Sequence, residues 1–86
     1  MINAEIKIGG RIYQSTGISI LEAIGALPVG NAKGRGILSI SKDGVVKTKI
    51  IPMQKVVQLF GKGSPNIKAV ILKQTCLLFD KNLFEQ

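Results

Sequence analysis

The 86-residue chain has no histidine, no tryptophan, one cysteine, five acidic residues and four aromatic rings. Each shortage excludes something. Without histidine, the side chain whose ordinary pKa best suits proton transfer near neutral pH is missing. The five acids are scattered without a convincing pair, and Cys76 has no neighbouring base to activate it as a nucleophile. A zinc site needs more Cys and His than the chain contains. The expectation is a non-enzymatic protein with no catalytic residues, no metal, no cofactor and no small-molecule substrate. One cysteine also excludes an internal disulfide. Within the apolar run Cys76-Leu77-Leu78-Phe79 it reads as a small buried hydrophobe.

Long hydrophobic runs are missing as well. No apolar stretch approaches the ~20 residues of a membrane span. No N-terminal stretch combines a basic region, an apolar core and a cleavage site. A cytoplasmic protein without a membrane partner is expected. The rings are only Tyr13, Phe60, Phe79 and Phe84, so Ile, Val and Leu must build the core. A small domain rich in aliphatics and short of staples often gains stability by self-association, which makes a homo-oligomer the expected state.

What the chain has is positive charge, unevenly placed. Its net charge is +7. Between Lys33 and Lys73 lie Lys33, Arg35, Lys42, Lys47, Lys49, Lys55, Lys62, Lys68 and Lys73 against the single acid Asp43. Such asymmetry is the electrostatic footprint of a polyanion-binding protein, set against the plainer reading that lysines keep a hydrophobic small protein in solution. Lys33, Arg35, Lys42, Lys47, Lys49, Lys62, Lys68 and Lys73 are the candidate nucleic-acid-binding residues.

One domain is expected over residues 1–80, with a partly frayed tail over 81–86. The start reads as a β-hairpin: Ala4, Ile6 and Ile8 alternate with Glu5 and Lys7, and Gly9-Gly10 suits a tight turn. A two-residue turn sets Ile8 opposite Arg11, whereas a longer loop sets Ile8 opposite Ile12, and the pattern leaves that register open. Ser19, followed by Glu22, is a capping box that opens a short helix with Ile20, Ala23, Ile24 and Leu27 as its buried stripe and Pro28 as its stop. Pro28 to Gly36 is loop chemistry.

A second hairpin follows, Gly36 to Ser41 and Val45 to Ile51. A three-residue loop Lys42-Asp43-Gly44 pairs Ile40 with Val46 and Leu38 with Thr48, giving a clean apolar face. The same register sends Ser39, Ser41, Lys47 and Lys49 together to the other face. Pro52 opens a helix with Met53, Val56, Val57 and Phe60 at helical spacing, ended by Gly61. Ser64-Pro65 starts a third helix, with Ile67, Val70 and Ile71 as its core stripe. Thr75 to Phe79 reads equally as helix or edge strand.

The fold class is therefore α+β: a small antiparallel sheet of two β-hairpins with two or three short helices on one face, in the order β-β-α-β-β-α-α. A final strand would instead make it β-α-β-β-α-β-like.

Three segments are candidates for contact with nucleic acid. The glycine-rich loop 30–36 lacks the Gly-Lys-Ser/Thr ending of a phosphate-binding loop and precedes a strand, but it can present amides with Lys33 and Arg35 to a phosphate backbone. Met53 to Val70 admits a helix-turn-helix reading with Val56, Phe60, Ile67 and Val70 between the helices and Ser64, Asn66 and Lys68 toward the major groove. Val57 and Lys62 depart from that pattern, and an ordinary pair of core-packing helices, the favoured reading, explains the same spacing. The third is the polar sheet face with Lys47, Lys49, Ser39 and Ser41. Lysines and hydroxyls suit phosphate contacts, and stacking rings are scarce, which favours duplex DNA over RNA. The competing expectation is a structural or protein-interaction module that self-assembles through aliphatic surfaces or edge strands.

Overall fold

A computed structural model describes residues 1–30 and 32–79. The expected tail, 81–86, and residue 80 lie outside the described residues. The elements are β1 (Ile2–Ile8), β2 (Arg11–Gly17), α1 (Ile20–Gly25), β3 (Gly36–Lys42), β4 (Val45–Ile51), α2 (Met53–Phe60) and α3 (Pro65–Leu78). They form a four-stranded antiparallel sheet in the order β2-β1-β3-β4, together with three helices. Thr75 to Leu78 continues the last helix, so the strand alternative is not realised.

Both hairpins close through two residues. Gly9 and Gly10 have φ of 59° and 99°, and Asp43 and Gly44 have φ of 52° and 83°. Left-handed backbone at both turn positions matches the right-handed twist of the flanking strands, and Gly-Gly and Asp-Gly adopt it at low cost. Ile8 therefore pairs with Arg11, and Lys42 with Val45. This overturns the three-residue loop expected for the second hairpin. Ile40 faces Lys47 and Leu38 faces Lys49. Paired residues project to the same side, so Lys47 and Lys49 leave the face of Ser39 and Ser41 and join that of Leu38 and Ile40.

The inner sheet face carries Ile2, Ala4, Ile6, Ile8, Leu38, Ile40 and Ile51, all buried. Against it pack Ala23, Ile24 and Leu27 from α1 and its exit, and Val56 from α2. Phe79, just beyond α3, is fully enclosed in the same cluster. Burying an Ile, Leu or Phe side chain contributes ~1.5–3 kcal/mol, and these residues supply most of the stabilisation available to so short a chain. The capping role of Ser19 is realised: the Glu22 amide donates to Ser19 Oγ at 3.1 Å. Ser15 Oγ donates to the Ala23 carbonyl and ties α1 to β2. The approach is close at Gly17, where a Cβ would lie 2.5 Å from the Ala23 amide nitrogen.

α3 packs along α1 and α2. Its buried side is Thr75, with Ile71, Leu72 and Cys76 half-buried; the Thr75 hydroxyl donates back to the Ile71 carbonyl at 2.8 Å. Ile67 and Val70, expected in the core, are 51% and 53% exposed, because residues 65–70 are exposed all round. Met53 and Val57 are likewise exposed, and Leu59 takes the buried place beside Val56 on α2.

Candidate nucleic-acid interface

Among the described residues no helix lies on the outer sheet face, and strand pairing fixes its residues in three rows. Across β2, β1, β3 and β4 these are Ile12-Lys7-Ile37-Ile50, then Gln14-Glu5-Ser39-Thr48, then Thr16-Asn3-Ser41-Val46. The middle row is hydrogen-bonded within itself. Gln14 Nε2 donates to Glu5 Oε1 at 2.8 Å, and the Ser39 and Thr48 hydroxyls share a bond of 2.9 Å. Among the described residues this face carries one cation, Lys7, and one acid, Glu5. The basic polar sheet face expected from the sequence is therefore absent from this side.

The lysines of the second hairpin project to the inner side instead. Lys42, Lys47 and Lys49 share that face along the β3–β4 edge, with Lys47 half-buried and Lys49 exposed. β4 is an edge strand, so the aliphatic stems of Lys47 and Lys49 can cover the rim of the core while their ammonium groups reach toward water. Three cations on one face of one hairpin are the densest group of candidate residues that strand pairing brings together.

The other candidates are dispersed. Lys33 and Arg35 lie in the connection from α1 to β3, both exposed. Lys62 is in the link between α2 and α3, while Lys68 and Lys73 are exposed on α3. Five residues apart on a helix, Lys68 and Lys73 point more than ~100° away from each other. The helix-turn-helix reading fails on packing. Of the four residues needed between its helices, Val56 is buried and Phe60 half-buried, but Ile67 and Val70 face solvent. Ser64 does occupy the position before α3, with Pro65 as its first residue, yet the Ser64 hydroxyl makes no capping bond.

Sequence reasoning passed over Arg11, which stands apart from the basic segment. The two-residue turn places it opposite Ile8 on the inner side. There it lines a cleft of ≈ 600 Å³ with Tyr13, Pro28, Ala32 and Lys33. The Gly9-Gly10 dipeptide was the available signal, since it implies the turn that sets Arg11 in this position.

No described helix is long and apolar enough to cross a membrane. Comparison of the chain with protein-family models, with curated proteins and with solved structures found no match.

Proposed function

We propose that the chain is a small non-enzymatic nucleic-acid-binding accessory protein of the cytoplasm, holding duplex DNA in preference to RNA mainly through phosphate contacts. One observation carries this reading. The outer sheet face is electrically balanced, whereas the other described residues hold ten cations against the two acids Glu22 and Asp43. A field confined to part of the surface attracts a polyanion and orients it. Lys42, Lys47 and Lys49 form the primary contact edge, and Lys33, Arg35, Lys62, Lys68 and Lys73 add to the positive field from other parts of the surface. Phosphate-directed lysines position a protein without reading sequence. The scarcity of exposed rings among the described residues disfavours recognition of unpaired bases through extended stacking. The test is a fluorescence-anisotropy titration of labelled duplex at several salt concentrations. Binding at micromolar protein in ~50 mM salt, weakening with a log–log slope of ~0.9 per phosphate contacted, is the expected result. No binding to any duplex at low salt would falsify the reading.

A second reading rests on a different observation. Ile12, Ile37, Ile50 and Val46 are 57%, 44%, 61% and 64% exposed on the outer face, and both edge strands, β2 and β4, are seven residues long. Exposed aliphatic side chains and open edges favour self-association, as a homo-oligomer that binds DNA or as a purely structural module. Light scattering behind a sizing column separates the two. A large assembly that is insensitive to salt and has no affinity for nucleic acid supports the structural module.

A further inference from the structure

We infer that the cleft lined by the β1–β2 turn and by Pro28, Gly30, Ala32 and Lys33 is a binding site for a nucleoside phosphate, either free or as one unpaired nucleotide of a strand. This goes beyond duplex binding and does not depend on it. The cleft is ≈ 600 Å³, within the ~300–1,000 Å³ of small-molecule sites and large enough for a base, a sugar and a phosphate. Its chemistry has two halves. Ile8, Pro28 and Ala32 give apolar surface, and the half-buried Tyr13 ring, packed partly on the core, gives an aromatic wall on which a base can stack. Arg11 and Lys33 bring two cations to the same cleft, and no acidic side chain among the described residues lines it. An arginine presents a planar fork of donors that matches two phosphate oxygens, and a lysine adds a mobile point charge. Gly9 and Gly30 at the rim leave the backbone open to close approach by a ligand.

The depression on the outer face has none of this. It is similar in size, but it is lined by Asn3, Gln14, Thr16, Ser39 and Ser41 with Glu5 as its charged group. An anion would meet a carboxylate there and no ring. The juxtaposition of two cations with the single tyrosine is thus particular to the turn-side cleft.

Tyr13 is the only tyrosine and the chain has no tryptophan, so tyrosine emission reports on this cleft alone. The experiment titrates the full chain with adenosine monophosphate, inorganic phosphate, a short single-stranded oligonucleotide and a blunt duplex, following Tyr13 emission corrected for ligand absorbance. Saturable quenching by adenosine monophosphate is expected, with at least ~10-fold weaker competition by inorganic phosphate because stacking is lost. Arg11→Gln and Lys33→Gln alter exposed side chains and leave the core intact; each is expected to weaken nucleotide binding by ~10-fold or more. An oligonucleotide that binds much more tightly than the monophosphate identifies a strand as the source, and equal affinity identifies a free nucleotide. Absence of saturable quenching by both, or wild-type affinity in both variants, overturns the inference. Duplex binding that persists without any Tyr13 response overturns the cleft alone and leaves the phosphate-binding edge standing. Tyr13 quenching without duplex binding does the reverse.

Discussion

At the scale of single residues, stability is concentrated in a few enclosed side chains. Phe79 is fully buried at the end of α3 and joins that helix to the core cluster. Phe79→Ala combines lost transfer free energy with a cavity, and is expected to cost ~3–5 kcal/mol in chemical denaturation. Cys76 gives a pH dependence. Burial pushes its thiol above the ordinary value of 9.0. The folded chain then holds this proton more tightly than the unfolded chain, so its contribution is complete below about pH 9 and is lost as pH rises through the folded-state pKa. Cys76→Ala should flatten the stability curve above pH 9 relative to the parent, compared at matched salt by thermal unfolding. The same raised pKa predicts alkylation at pH 8 slower than that of a free thiol. The apolar run around Cys76 overstated its enclosure: the thiol is half-buried, and Leu77 and Leu78 beside it are exposed. The exposure of Ile67 and Val70 was not legible, because helical periodicity gives a stripe and not the length of helix that has a neighbour to cover it.

At the scale of elements, α1 shows what local chemistry can fix. Ser19 with Glu22 marks its start, Pro28 follows its end, and Ala23, Ile24 and Leu27 bury as their spacing requires. The hairpins show where facial patterning misleads. A clean apolar face favoured a three-residue loop after β3, yet the Asp43-Gly44 backbone forms the tighter turn. Turn geometry prevailed because β4 is an edge strand. Val46 and Ile50 can face solvent at modest cost, and lysine stems can cover the inner rim. A Cβ added at Gly44 meets nothing within 4 Å, so Gly44→Ala isolates the backbone term. At φ 83° it is expected to destabilise by ~1–2 kcal/mol, whereas Asp43→Gly should stay within about 0.5 kcal/mol of the parent. Thermal melts of the two variants check both. Equal, negligible effects would show that the hairpin closes with a different loop in solution.

At the scale of the whole molecule, the charge asymmetry between Lys33 and Lys73 was plain in the sequence, but the surface it occupies was not. A one-residue change in loop length turns every side chain of a strand to the opposite face, so the side bearing Lys47 and Lys49 depended entirely on the second turn. With that turn fixed, the outer face keeps Lys7 alone beside Glu5, and Lys47 and Lys49 stand on the helix-bearing side. This separation allows the proposed binding edge to be tested against a control within the same sheet. Lys7→Gln and the pair Lys47→Gln with Lys49→Gln all remove lysines from strands while keeping long polar side chains. If phosphates bind along the β3–β4 edge, the double variant should lose affinity for duplex DNA, and its log–log salt slope should fall by ~1.8, corresponding to two fewer counterions released. Lys7→Gln should leave both quantities near the parent values. Its small residual effect would reflect only the loss of one long-range charge, screened beyond ~10 Å at 0.1 M salt. A loss of slope that follows the number of lysines removed, wherever they lie, would mean that net charge alone attracts DNA and that no edge of the sheet is the contact surface.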